Sequence, residues 1–434
     1  MSVGTMVRAH ATWSRHITQS PAARADPASE AEIAELIRHA AAARRHVKVF
    51  GGGHSFSDIG LTDGVLVSLD RMRAVVDVDT AGRRVTAQAG IRLHELVDAL
   101  ASRGLALPIL GSVMQQSIAG AISTGTHGSS LRHGNLASLV CGLRIVTGRG
   151  EVLDLVEGDD RLAGARVGLG ALGVITQVTL RCAPLFALTE DARRAPIEEV
   201  VRDLVSIANS AEYVKIWWLP TLPFANVYRY SRTAEPPTTS HLRRWMDETI
   251  VNRYLFAALL GVSRRWPSLT AAINRAVGAT YLRESRRVGR YDQVLTVAMP
   301  PVHREMEYAL ALDRAPESLD RIRALIRDRR LRVNFVMEIR FVKGDDAWLS
   351  PAYGRDSCQI GAYIAEGADR ASYFAGVEDI MQAAGARPHW GKEHNVTPEL
   401  VNAMFPTIER FRALRDELDP DRVFENPCLA RALG

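Results

Sequence analysis

Apolar and polar positions along the chain follow two periods, and the switches between them mark its elements. Residues 27–46 carry Ile33, Leu36 and Ile37 at helical spacing, with Asp26 or Ser29 as a cap, which predicts a helix. The pattern then shortens to period two or to brief apolar runs over Val47–Phe50, Val65–Leu69, Ala74–Asp79 and Arg84–Ala89, which read as strands. A helix is expected over Leu93–Ser102, ending near Gly104. CGLRIVT and EVLDLV form a hairpin across Gly148-Arg149-Gly150, and Val174–Leu180 supplies a further strand. Beyond Cys182 the character changes. Strands at Tyr213–Leu219 and Val294–Ala298 alternate with arginine-rich helices, roughly between residues 240 and 290 and again over Ser318–Arg329. A last helix ends at Leu418, where Pro420 breaks it, and Phe424 and Asn426 anchor the tail.

Length and charge narrow the class. A chain of 434 residues exceeds one core and implies two or three domains. With 47% hydrophobic and 24% charged residues it reads as a globular enzyme. The net charge of +5 is nearly all arginine, since lysine occurs only at 48, 215, 343 and 392. Acidic residues are interspersed and no nucleic-acid motif is present, so no nucleic-acid partner is expected. Cys141, Cys182, Cys358 and Cys428 form no C-x-x-C pair and fit reduced, buried thiols. No apolar signal region opens the chain, which points to the cytoplasm. The longest apolar run, near Tyr254–Val262, is about half a membrane span. It reads as a buried helix, with a peripheral membrane contact as the alternative.

Three glycine-rich stretches carry candidate chemistry. In VKVFGGGHSFSD, Gly51, Gly52 and Gly53 end a strand and His54, Ser55, Ser57 and Asp58 follow. Such a turn is either a tight surface turn or a cradle of backbone N–H groups for an anion. The spacing is not the G-x-G-x-x-G dinucleotide fingerprint. GSVMQQSIAGAISTGTHGSS, residues 111–130, combines small residues and hydroxyls that let backbone approach a flat ring; a small-residue helix on a sheet is the alternative. RVGLGALGVITQVTLRC brings Gly168, Gly170 and Gly173 just before a strand.

Together these stretches resemble, in order, the FAD loops of the vanillyl-alcohol-oxidase superfamily, and within it the sugar-1,4-lactone and alditol oxidoreductases. The resemblance implies FAD. It implies that Val49, Gly51, Gly52, Gly53, His54, Ser55 and Ser57 meet the pyrophosphate side, with His54 at the position that often bonds covalently to the flavin 8α-methyl. Gly120, Ala121, Ser123, Thr124, Gly125, Thr126, His127 and Gly128 form the second contact, His127 as a hydrogen-bonded support. Gly173, Val174 and Ile175 form the third. The fold implied is α+β: an FAD-binding domain over 1–182, an α+β cap over 183–385, and a segment over 386–434 returning to the FAD domain.

Two further stretches resemble the same enzymes. In FVMEIRFV, Glu338 and Arg340 lie two apart on a strand and share a face, as a surface ion pair or as the lining of a pocket. The E-x-R pair of alditol oxidase lies at its substrate site. RPHWGKEHNVTPE crowds His389, Trp390, Lys392, Glu393 and His394 together. His389 and His394 are five apart, unlike the H-E-x-x-H zinc motif, and no third ligand is near in sequence, so no metal is expected. HWGK resembles the family's C-terminal motif, which puts His389 and Lys392 near the flavin. HREMEYAL resembles part of the lactone-oxidase cap.

The activity implied is oxidation of an aldono-1,4-lactone such as L-gulono-1,4-lactone to its 2-keto lactone, chemistry of the ascorbate-forming type, with hydride passing to flavin N5. The alternative is an alditol oxidase using the same parts. Glu338 and Arg340 would hold substrate hydroxyls and Lys392 would supply positive charge. Which residue is the base stays open. So does the electron acceptor, oxygen or a protein or dye such as a cytochrome, with the deciding small residue expected within Ile118–Ala121. A flavin reductase of the enolpyruvyl-glucosamine type would lack HWGK with E-x-R. A mere flavin carrier would not need Glu338, Arg340 and Lys392.

Overall fold

The computed structural model describes residues 9–238, 254–297, 301–365 and 369–434. The chain opens with a helix, Glu30–Ala42, capped by Ser29, whose side chain accepts from the Glu32 N–H. Asp26 instead pairs with Arg24. The helix carries the chain between Ala23–Ala25 and Val47–Val49, which flank Val65–Val67 in a parallel three-stranded sheet. An antiparallel sheet of five strands lies beside it, in the order Val152–Val156, Val140–Val146, Val174–Arg181, Arg84–Gln88 and Val75–Asp79. The short helix Ile118–Ser123 is packed into this region, capped by Ser117.

The middle of the chain builds an eight-stranded antiparallel sheet. Its central strands run Tyr213–Trp218, Met337–Val342, Ser357–Ile364 and Arg304–Ala311. Period-two alternation gives this sheet two unlike faces. Val214, Ile216, Met337, Ile339, Phe341, Ile360, Met306 and Leu310 join one core with the helices Ala315–Asp328 and Arg370–Ala383. The opposite face presents Lys215, Trp217, Glu338, Arg340, Gln359, Tyr363, Glu305 and Glu307. That polar face is nevertheless buried: Glu307 is 0% exposed and Arg340 8%. The FAD-loop half of the chain covers it. Ser130 N–H donates to Phe341 O at 2.6 Å, Tyr213 OH donates to Pro108 O at 2.7 Å, and Ser129 bonds both ways with Val214.

After Arg387–Pro388, which pairs with the Arg304–Ala311 edge, the chain crosses back. Asn426 Nδ2 reaches the carbonyls of Asp58, Ile59 and Leu61, and Arg431 grips the Asp58 carboxylate. The tail is thereby tied to the segment that follows the first glycine loop.

Two expected elements differ. Val294 and Leu295 belong to a helical turn, Tyr291–Leu295, because Tyr291 and Val294 are buried three apart and Asp292 accepts from Thr296 at the end of the turn; Ala298 lies outside the described residues. The apolar run gives the helix Phe256–Arg265, which buries only Leu260 and Ser263 and leaves Tyr254 63% and Leu255 49% exposed, so it is not a buried helix. Residues 239–253 of the arginine-rich region lie outside the described residues. Among the described residues no helix is long and apolar enough to cross a membrane.

Candidate active site

The three glycine-rich stretches converge on one cleft. A Cβ on Gly51 would strike Ser117, and one on Gly52 would lie 2.5 Å from the Gln115 carbonyl oxygen. Gly53 has φ +68°, a backbone state that favours glycine. The first loop therefore lies directly on the second. The third is tied in by Lys48, whose buried ammonium donates to Gly170 O at 3.1 Å and to Phe424 O at 3.3 Å. Burial pushes the Lys48 pKa down to about 8.

Of the residues expected here, Val49, Gly51, Gly52, Gly53, His54, Ser55, Ser57, Gly120, Ser123, Thr124, Gly173 and Ile175 line the cleft. Others do not, for identifiable reasons. Ala121 points into the core from the far side of its helix. Val174 alternates with Ile175 along the strand and is buried in a core cluster. Gly125 has φ +73° at the helix end. Thr126 takes a hydrogen bond from Gln116. Gly128 leaves room for Leu110 and Ile109. His127, His389 and Lys392 face the polar sheet instead. Lys48, Asp70, Arg92, Ser117 and Phe424 line the cleft without having been singled out for it, and so does Gly170 of the third glycine-rich stretch. For Lys48 the scarcity of lysine was a usable signal.

His54 sits where the cleft approaches the polar face. Its Nδ1 is buried and has no hydrogen-bond partner among the described residues. Burial, then the charges of Arg92 and Lys392, push its pKa down to about 4, so the ring is neutral at pH 7 and keeps a free lone pair. Lys392 Nζ lies 4.6 Å from the Phe56 ring centre and is ion-paired with Glu305. The polar face thus begins two residues beyond His54.

Across that face the charges interlock. Glu338 accepts from Trp217 Nε1 at 2.9 Å and from Tyr363 OH at 2.8 Å, and lies 3.5 Å from Arg340 Nε. Arg340 donates to Glu307 Oε1 at 2.7 Å. Burial by itself would raise both carboxyls, but Arg340 holds Glu338 below, and Glu307 well below, the usual carboxylate range. Lys215, fully enclosed, lies within 5.8 Å of the rings of Trp217, Tyr228 and Tyr230, and burial lowers its pKa.

His127 donates from Nδ1 to Gly128 O at 2.8 Å and turns Nε2 toward Glu307 Oε1 at 3.3 Å. His389 accepts from Gly391 N–H, and burial pushes its pKa down to about 3. His127, Glu307 and His389 each bring one ligand-type atom within 4.8 Å of the others. A third group therefore does stand near His389, brought by the fold from distant sequence, whereas His394 is buried beside Glu378. Arg340 already supplies the cation to Glu307, and we read the trio as part of the ion-pair network.

A model of the FAD binding domain matches residues 21–155, and one of D-arabinono-1,4-lactone oxidase matches residues 178–432. The chain belongs to the D-arabinono-1,4-lactone oxidase family. It is 39% identical over 423 residues to L-gulono-1,4-lactone dehydrogenase of Mycobacterium tuberculosis, across 97% of this chain and 98% of that one. It is 34% identical over 427 residues to L-gulonolactone oxidase of Bos taurus, across 96% and 97%. Cholesterol oxidase from Brevibacterium sterolicum shares the fold, with a TM-score of 0.83 at 16% identity over 98% of this chain and 97% of that one. Like other members of the family, the protein is an FAD-dependent oxidoreductase. The lining fits that cofactor: it has glycine backbone for close approach, the Lys48 and Arg92 cations, and an unpartnered imidazole nitrogen. Glu305, Glu307, Lys215 and Tyr363 also lie on the buried polar face, and sequence reasoning did not single them out for it.

Proposed function

We propose that the protein oxidises an aldono-1,4-lactone, of the L-gulono-1,4-lactone kind, to the 2-keto lactone. The observation that carries this reading is the buried polar sheet face, where Glu338 pairs with Arg340 and where Lys392, over the Phe56 ring, stands close enough to His54 of the cleft to help burial and Arg92 lower its pKa. A substrate dense in hydroxyls needs many fixed donors and acceptors in a dry site, and these side chains provide them. The names of the relatives support a lactone, and the open-chain alditol reading is not favoured.

In this reading FAD, when bound, supplies the hydride acceptor. Gly51, Gly52 and Gly53 leave room for its pyrophosphate, and His54 is the residue that bonds covalently to it. Gly120, Ser123, Thr124, Gly173 and Ile175 line the remainder, while Ala121, Gly125, Thr126, His127, Gly128 and Val174 shape that wall from behind. Residues 1–182 and 386–434 make the FAD-binding part and 183–385 the cap. Glu338 and Arg340 orient the substrate hydroxyls, and Lys392 stabilises charge that develops on the reacting oxygen. For the electron acceptor, oxygen or a protein such as a cytochrome, the deciding positions are Ala119 and Gly120, the residues of Ile118–Ala121 that line the cleft. Any peripheral membrane contact would use the exposed Tyr254, Leu255, Trp266 and Leu269, and sedimentation with vesicles tests it. Anaerobic reduction of the bound flavin by L-gulono-1,4-lactone, followed by reoxidation with air or with cytochrome, tests substrate and acceptor in turn.

A further inference from the structure

The polar face holds three carboxylates beside Lys215, Arg340 and Lys392, and counting the carboxylates' hydrogen bonds separates them. Both oxygens of Glu338 are taken, one by Trp217 and one by Tyr363. Glu307 gives Oε1 to Arg340 and lies behind that guanidinium and His127; its Oε2 is unpartnered but enclosed there, the side chain being 0% exposed. Glu305 gives only Oε2, to Lys392, and its buried Oε1 has no partner among the described residues. A buried acceptor without a donor is costly unless a donor arrives. Lys392, bonded to that same carboxylate, is the group that reaches toward Phe56 and His54. Glu305 is thus the carboxylate that combines an unpartnered oxygen with a direct ion pair to a cation that acts on His54.

We propose that Glu305 is a catalytic residue, the base that receives the hydroxyl proton of the substrate. The inference rests on the lactone-oxidising reading. In the step, the substrate O–H bond breaks and its proton forms an O–H bond to Glu305 Oε1. The C–H bond on the same carbon breaks and its electron pair leaves with the hydrogen as hydride to oxidised FAD, while the C=O bond forms. The substrate loses two electrons and the flavin gains them. Lys392 stays bonded to Oε2 throughout and fixes the carboxylate. The charged and titratable groups facing Glu305 are Lys392, His303, Glu307, Arg340 and Tyr363. Burial would raise its carboxyl, but Lys392 and His303 hold it below the usual range, so the base is ionised at neutral pH.

A merely structural Glu305 that seats Lys392 would also slow the enzyme when removed, so a double-mutant cycle is the test. Flavin reduction by L-gulono-1,4-lactone is followed by stopped flow in Glu305→Gln, Lys392→Met and the double variant, beside FAD content and melting curves. We expect Glu305→Gln to reduce its flavin roughly 10²–10⁴-fold more slowly. The double variant should fall a further 10-fold or more below Lys392→Met. In Lys392→Met the acid limb of the pH–rate profile should move upward, because burial then acts on Glu305 with less opposition. Binding of free L-gulonate anion, read from the flavin spectrum of the oxidised enzyme, should tighten about tenfold in Glu305→Gln as a facing negative charge is lost. If the double variant matches Lys392→Met, or anion binding is unchanged, Glu305 only seats the lysine and the proposal is wrong. If Glu305→Gln does not fold, Glu305→Asp serves: it keeps the charge, and should bind the anion as wild type does while keeping the acid limb in the Lys392→Met background. Loss of either overturns the proposal. Wild-type flavin that no aldonolactone reduces would instead overturn the lactone reading.

Discussion

Replacing Arg340 with methionine removes one cation from between two buried carboxylates. Arg340 donates to Glu307 at 2.7 Å and lies 3.5 Å from Glu338, and neither acid is more than 5% exposed. Breaking a buried pair by deleting one partner costs about 3–5 kcal/mol, because the remaining charge stays buried. Here the cost depends on pH, and its sign follows from the shifts. In the wild type Arg340 holds both folded-state pKa values below 4.5. That stability is fully present above the unfolded value and is lost only as pH falls through the depressed folded values. Without Arg340, burial is the largest influence left on both acids, opposed by Lys215, Trp217 and Tyr363 at Glu338 and by His127 and His389 at Glu307, and both pKa values should rise. The variant is then least impaired near pH 4.5, where the acids enter the fold protonated. It loses about 1.4 kcal/mol per pH unit for each acid as pH rises toward its raised pKa. Melting temperature measured from pH 5 to pH 8 should stay level, as far as these acids contribute, in the wild type and fall in Arg340→Met. Arg340→Lys should behave in between, since one ammonium cannot span both carboxylates as the guanidinium does. A variant whose melting temperature is lowered equally at every pH would refute the reasoning.

Other consequences are as specific. Acid-precipitated wild-type protein should remain yellow and yield a flavin peptide containing His54, whereas His54→Ala should release its colour to the supernatant. Gly52→Val should abolish FAD binding, and the added Cβ, 2.5 Å from the Gln115 carbonyl oxygen, should also push the two loops apart; circular dichroism and flavin content check both. Lys392→Met should cut flavin reduction by roughly 10² or more and, because it strands buried Glu305, should also lower the melting temperature. Normal reduction rates in that variant would remove the lysine from the chemistry.

Much of this site is legible locally. The three glycines after a β-branched run fit a tight surface turn as well as an anion cradle, and the resemblance of the three loops in order decides between them, whereas Glu338 and Arg340 share a face by simple alternation. Glu305 and Glu307 carry the same alternation in HREMEYAL, yet nothing local says which strand lies opposite. Their place follows from a register in which Glu338 and Glu307 both flank Gly361. The third group beside His389 was invisible for the same reason, since His127 arrives from some 260 residues away. Val294–Ala298 misled because β-branched composition outweighed the three-residue spacing of Tyr291 and Val294. The helix Phe256–Arg265 misled because an apolar run fixes neither its depth nor its neighbours.

The central claim is that this polar face oxidises an aldonolactone at the expense of FAD bound in the glycine-loop cleft. Anaerobic mixing of the oxidised protein with L-gulono-1,4-lactone tests it most directly, with flavin absorbance followed in time. Wild-type flavin should bleach to its reduced form, and in Lys392→Met the bleaching should slow by roughly 10² or more with FAD content retained. Flavin that stays oxidised with aldonolactones while an open-chain alditol bleaches it, or that neither bleaches, would contradict the account.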